Sequence, residues 1–167
     1  MKFNDTIENI NSKRTALRAI ICDVDGVLTN GQIAYTDTGK QVHHYHALDG
    51  YGFIHLVQRG FLITIVSGRD NPSAIIRGNE LGVTEVHTAI TSKITLMKQL
   101  SQKYQIPLKN WGAIGDDIND LECFQASGLS FTVPQAHPKA LEAANIITSR
   151  HGGAGAFREI SDWILGL

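Results

Sequence analysis

Three polar stretches and one lysine stand out, because each lies where a run of regular structure ends or begins. Asp23-Val24-Asp25-Gly26 follows the apolar run Leu17–Cys22, and Ser67-Gly68-Arg69-Asp70 follows Leu62–Val66. Gly115-Asp116-Asp117-Ile118-Asn119-Asp120 follows Trp111–Ile114, and Lys93 opens the long helix-patterned stretch before that run. Residues i and i+2 of an extended chain project to one side, so Asp23 and Asp25 are expected to face one reacting atom. Asp116 adds a third carboxylate, and three such charges in one cleft repel one another unless a hard cation sits among them. Mg²⁺ suits that set: it takes oxygen ligands and is held by one or two carboxylates together with phosphate oxygen and water. Ser67 and the Gly68 amide can bind phosphate oxygens. Lys93 offsets the charge of the phosphoryl group and its nucleophile. The chemistry permitted is phosphoryl transfer to a carboxylate. Asp23 attacks phosphorus to form an aspartyl phosphate; Asp25 protonates the leaving alkoxide and then activates the hydrolytic water.

Taken singly, each piece has a plainer reading. Asp-x-Asp punctuates loops, Ser-Gly caps or turns, GDDIND suits a helix N-terminus, and a lone lysine is usually solvated. The combination outweighs those readings because all four fall at one edge of one predicted sheet. Leu17–Cys22, Leu62–Val66, Val83–His87, Trp111–Ile114, Leu129–Val133 and Ile146–Thr148 read as strands. Between them Gly50–Arg59, Pro72–Leu81, Ser92–Tyr104, Ile118–Ala126, Pro138–Ala144 and Ala154–Ile164 carry helical spacing. Apolar strands alternating with helices predict an α/β fold, a doubly wound Rossmann-like parallel sheet covered on both faces. Ligands of such sheets sit at the carboxyl ends of the strands. Gln32–Tyr35 and Gln41–Tyr45, joined by TDTGK, predict a β-hairpin inserted after the first strand.

Composition narrows the class. The chain has 167 residues, 43% hydrophobic and 19% charged, the profile of one globular domain over residues 1–167. A net charge of -1 with no Lys/Arg block leaves no electrostatic footprint for nucleic acid or an anionic membrane. The two cysteines, Cys22 and Cys123, make no disulfide framework or metal knuckle. No apolar run approaches membrane-spanning length, and residues 1–14 form a polar segment without the apolar core of a signal peptide. The expectation is a soluble, cytoplasmic protein.

DVDGVLT, SGR, Lys93 and GDDIND resemble the four motifs of the haloacid dehalogenase (HAD) superfamily of phosphatases. More narrowly, DVDGVLTNG, DGYG at Asp49–Gly52, SGR, GDDIND and GGAGAFRE at Gly152–Glu159 are similar to the family that hydrolyses 3-deoxy-D-manno-octulosonate 8-phosphate (KDO 8-phosphate). The phosphoaspartate fold of two-component receivers has a different motif order, with its lysine last. The resemblance implies Mg²⁺ bound by Asp23, the Asp25 carbonyl and Asp116, with Asp117 and Asp120 behind them, Asp120 holding Lys93 or a metal-bound water. It implies substrate contacts from Gly68, Arg69, Arg77, Asp49, Gly50 and Asn119, and a role in making the lipopolysaccharide inner core.

Neither the interval from Asp23 to Ser67 nor that from Ser67 to Lys93 is long enough for a cap domain, so the resemblance implies a homotetramer whose hairpins close neighbouring sites. Arg69 favours the eight-carbon sugar acid, because relatives acting on nine-carbon acids tend to carry Glu there, and a guanidinium grips a carboxylate bidentately. Leu48, Ile54 and Ala154 stand where the family usually has arginine. A nine-carbon sugar acid 9-phosphate, another small phosphate ester, or a binding module without turnover are the alternatives. Among His43, His44 and His46, whose spacing matches no zinc signature, His46 immediately precedes Ala47-Leu48-Asp49-Gly50 and is the one expected to touch substrate.

Overall fold

The computed structural model describes residues 1–167. Strand β2 (Ala19–Asp23) lies between β5 (Leu62–Val66) and β7 (Trp111–Ile114), parallel to both. Outward from β5 comes β6 (Glu85–His87); outward from β7 come β8 (Leu129–Thr132) and β9 (Ile146–Ile147), all parallel. The doubly wound parallel sheet expected from the apolar runs is therefore what forms. It has one antiparallel addition: β1 (Lys2–Phe3) pairs with β9 at its edge.

Alternate residues of β2 feed two cores. Ile20 and Cys22 join one layer with Phe53, Leu56, Ile65, Phe157 and Ile160. Ala19 and Ile21 join the other with Met97, Leu100, Trp111, Phe124 and Ala140. The first layer is covered by α1 (Ile7–Ala16), α2 (Ala47–Gln58), α3 (Pro72–Glu80) and α7 (Ala156–Leu165); the second by α4 (Lys93–Tyr104), α5 (Leu121–Ala126) and α6 (Pro138–Ala143). The α2–α7 contact is close: Phe53 and Phe157 stack at 3.7 Å, and Ser161 Oγ donates to the Gly52 carbonyl. Gly52 permits this approach, since a Cβ there would meet Arg158, Phe157 and Ser161 at 3.2 Å. No helix is long and apolar enough to cross a membrane.

Several expectations need correcting. The polar residues 1–14, to which the sequence pattern assigns no element, form β1 and most of α1, which Thr6 caps by accepting from the Asn9 N–H. Only Ile10 of that helix is buried, so it shows no apolar stripe to read. The hairpin is shorter than predicted. Only β3 (Ala34–Tyr35) and β4 (Gln41–Val42) pair, and all four residues are exposed, so no core holds a longer ladder together. Helix α2 starts before Gly50 because His46 Nδ1 accepts the Leu48 N–H and caps it there. Helix α7 starts after Ala154, behind Gly155 at φ 94°. Ile118–Asp120 is a 3₁₀ turn ahead of α5.

Candidate active site

The strand register brings the polar stretches together. Asp23 pairs with Val66, and Cys22 with both Ile65 and Ile114, so the residues after β2, β5 and β7 emerge side by side. Strand β2 ends at Asp23, and the Val24 carbonyl then accepts the N–H groups of Val27, Leu28 and Thr29. Asp25 therefore reaches the site from a helical turn, not from the extended chain that the i, i+2 argument assumed. Both carboxylates nonetheless line one open cleft, with Gly26, Gly68, Arg69, Asp116, Asp117 and Asn119.

Lys93 sits at the first position of α4, where the helix dipole disfavours a cation, and it is buried. What offsets this is a pair of carboxylates: its Nζ lies 2.9 Å from Asp23 Oδ1 and 2.6 Å from Asp120 Oδ1. Burial alone would lower the Lys93 ammonium, but Asp23 and Asp120 outweigh it and hold the group charged. The second oxygen of Asp120 accepts the N–H groups of Asp116 and Asp117 at 3.0 and 3.2 Å. Gly115 makes room for that carboxylate, since a Cβ would stand 2.1 Å from Asp120 Cγ. Asp117 caps the 3₁₀ turn by accepting the Ile118 N–H.

The charges do not balance. Asp23, Asp116 and Asp120 offer oxygens within 4.8 Å of one another, against the single ammonium of Lys93. Burial, reinforced by Asp120, pushes the Asp23 carboxyl above the usual range even though Lys93 touches it. Burial pushes Asp116 up to about 6, again with Asp120 adding to it. A hard divalent cation suits this donor set and this surplus of negative charge. Asp120 commits both oxygens, to Lys93 and to two backbone amides, which leaves Asp116 and the second oxygen of Asp23 to hold it. Gly26, at φ 85°, lies so close that a Cβ would be 1.9 Å from Asp116 Oδ2.

Ser67 is buried at the end of β5, and its Oγ accepts the Arg69 N–H at 3.1 Å, leaving its own hydroxyl proton to donate. Helix α3 begins only at Pro72, and the buried Asn71 caps it by accepting the Ala74 N–H. The loop expected to bind phosphate, 67–70, therefore precedes α3 instead of forming its first turn.

Four expected substrate residues lie elsewhere. His46, Asp49, Gly50 and Arg77 line a separate hollow with Tyr45, Phe53 and Leu81. His46 is occupied in capping α2. Asp49 is buried, its Oδ1 accepting the Arg158 N–H at 2.9 Å, so it faces the start of α7. Arg77 pairs with Glu80 at 3.1 Å and packs on Gly50, where a Cβ would meet its guanidinium at 2.4 Å. Of the three histidines it is His43 that approaches the cleft: its Nε2 lies 4.0 Å from Asp25 Oδ1, while Arg69 Nε lies 3.8 Å from Asp25 Oδ2.

Comparison with known proteins agrees with this geometry. The family model for haloacid dehalogenase-like hydrolases matches residues 71–160. The chain is 36% identical to the 3-deoxy-D-manno-octulosonate 8-phosphate phosphatase of Haemophilus influenzae, over 93% of this chain and 87% of that protein. It is 31% identical to the corresponding phosphatase of Yersinia pestis, over 98% and 87%. Its fold matches the crystal structure of the 3-deoxy-D-manno-octulosonate 8-phosphate phosphatase from Moraxella catarrhalis, in complex with magnesium ion, phosphate ion and KDO. There the TM-score is 0.94 at 31% identity, covering 96% of this chain and 92% of that one. With likeness of this extent in both sequence and fold, the chain belongs to the haloacid dehalogenase-like hydrolases.

Proposed function

We propose that the protein is a Mg²⁺-dependent phosphatase that hydrolyses a phosphorylated sugar acid, KDO 8-phosphate, to KDO and phosphate. The observation that carries this is the position of Asp23: held by Lys93 at the floor of a cleft whose walls are Asp25, Asp116, Gly68 and Arg69. An Asp23 oxygen attacks phosphorus as the bond to the sugar oxygen breaks, and Asp25 gives its proton to that oxygen. Asp25 then takes a proton from water as the water attacks the aspartyl phosphate, releasing phosphate and restoring Asp23. Lys93, Ser67 and the Gly68 amide bind the phosphoryl oxygens. A magnesium ion held by Asp23, Asp116 and the Asp25 carbonyl supplies charge neutralisation at the phosphoryl group.

Substrate choice rests on Arg69, the arginine that lines the cleft, and on the similarity to phosphatases named for KDO 8-phosphate. Arg77 acts in this reading by packing α3 on α2, and Asn119 at the rim touches the sugar. Exposed Ile33, Tyr35, Val42, Leu48 and Tyr51 suit contacts between copies, which supports a homotetramer closing the open cleft. A charged phosphate ester does not cross a bilayer unaided, so we place the enzyme, a single domain, in the cytoplasm. The test is phosphate release with Mg²⁺ from KDO 8-phosphate, a nine-carbon sialic acid 9-phosphate and p-nitrophenyl phosphate, with Asp23→Asn as blank. Preference for KDO 8-phosphate is the expected result. Equal weak release from all three overturns the substrate but keeps the chemistry, and none above the blank leaves a binding module.

A further inference from the structure

We infer that His43 is a positioning residue for Asp25, holding the acid–base carboxylate from the inserted hairpin; this rests on the role given to Asp25 above. The two ionisable side chains that reach Asp25 are His43, at 4.0 Å from one oxygen, and Arg69, at 3.8 Å from the other. They bracket the carboxylate at its two oxygens but differ in freedom. The Arg69 side chain is 51% exposed and the His43 side chain 9%. Arg69 is also the group assigned to the sugar carboxylate, so substrate draws it away from Asp25. His43 is then the bracket that stays.

The chain fixes His43 through a short relay. Asn71 is buried, and its Oδ1 accepts from both Ser73 Oγ at 2.7 Å and the Ala74 N–H at 3.1 Å. That settles which end of the amide is which, so Nδ2 faces His43 Nε2 at 3.3 Å and donates to it. On the hairpin side, the Tyr45 hydroxyl bonds Ser73 Oγ at 3.0 Å, and the Tyr45 ring lies nearly parallel to the His43 ring, 24° apart. Four side chains thus lock the second hairpin arm to the start of α3, with the imidazole edge against Asp25. At 4.0 Å the contact restricts where the carboxylate can swing; it is not itself a hydrogen bond.

Leaving-group dependence tests this. An alkoxide must be protonated as it leaves, whereas p-nitrophenolate leaves without help, so only an alkyl phosphate requires Asp25 in the first irreversible step, which kcat/KM reports. General acid catalysis is worth about 10²–10⁴-fold, and we expect His43→Ala to forfeit about tenfold in kcat/KM for KDO 8-phosphate. For p-nitrophenyl phosphate kcat/KM should hold within about twofold, the loss being confined to the step that uses the proton. In an Asp25→Asn background, His43→Ala should have no further effect. His43→Gln, whose amide oxygen can accept from Asn71, should recover most of the loss. Equal losses on both esters, or additive losses in the double variant, overturn the inference. Should His43→Ala melt early, His43→Gln decides alone: intact folding with equal losses on both esters also overturns it. A wild-type protein that releases phosphate from neither ester overturns the phosphatase reading, and the inference with it.

Discussion

Replacing Asp120 by asparagine changes one atom, and the structure says that it should cost as much as removing the side chain. In the native site Asp120 Oδ1 accepts from Lys93 at 2.6 Å, while Oδ2 accepts two backbone N–H groups at 3.0 and 3.2 Å. All the neighbours are donors, and only a carboxylate can face them with both ends. An amide with its oxygen toward the backbone turns its NH₂ on the Lys93 ammonium; flipped, it turns the NH₂ on two N–H groups. Either orientation loses a charge-assisted hydrogen bond, about 1.5–3 kcal/mol, and sets donor against donor in a buried place. Breaking a buried ion pair by deleting one partner costs about 3–5 kcal/mol. Lys93 keeps Asp23 at 2.9 Å, so the lower end applies, about 3 kcal/mol. For a domain of this size that is a fall in Tm of about 6–12 °C. Thermal unfolding by circular dichroism, in chelator and with Mg²⁺, measures it, with Asp120→Ala alongside. A melting temperature for Asp120→Asn within about 2 °C of wild type would show that the donor-only environment has been misread.

Three other expectations follow from the same geometry. Gly26→Ala forces a Cβ to 1.9 Å from Asp116 Oδ2 at φ 85°; titration calorimetry should find Mg²⁺ affinity reduced about 10–100-fold, and unchanged affinity would contradict the close approach. Asp49→Ala strips the acceptor from the first turn of α7 and should lower stability by about 1–2 kcal/mol. Its KM should barely move, whereas a large rise in KM with normal melting would return Asp49 to the substrate. Burial pushes the Glu85 carboxyl up, yet Lys103, Tyr104 and His87 outweigh it and hold the group at about 2. A depressed carboxyl contributes stability that is complete above its unfolded value of 4.5 and drains away as pH falls toward 2. Glu85→Gln should therefore lose Tm near neutrality and converge on wild type in acid, as melting curves at several pH values will show.

What could be read beforehand divides along physical lines. The five-residue run of β5 coincides with its prediction, as do the bounds of β7, because buried parallel strands are written as continuous apolar runs. The polar clusters were legible for the related reason that a strand's end fixes where the next residues go. Helix α1 was not, since it buries one side chain and leaves no periodicity to detect. Nor was the division of labour between His43 and His46, three residues apart between β4 and α2. The cap of α2 consumes His46, and only the path of the arm over Asn71 brings His43 inward. Asp49 illustrates the limit most sharply. A carboxylate in DGYG looks exposed and available until α7 is seen to arrive with an uncapped first turn. Lys93 at the start of a helix opposes the dipole, which is a second sequence signal for anionic partners around it.

The glycine pair beside α7 has a consequence for how the molecule acquires its activity over time. Gly152 lies so near the loop after β2 that a Cβ would touch the Gly26 carbonyl at 1.7 Å, the Gly153 N–H donates to the Val27 carbonyl, and Gln135 Nε2 donates to the Gly26 carbonyl. The turn bearing Asp23 and Asp25 is thus walled by chain more than a hundred positions downstream, a separation of 109 for the Gln135 bond. Contacts of such long sequence separation close late, since the loop entropy must be met before they return anything. Catalysis should therefore lag behind formation of the helices during refolding, since it waits on contacts that span most of the chain. Regained turnover would serve as a clock for the arrival of Gln135 and the Gly152–Gly153 turn beside the site, not for the average contact.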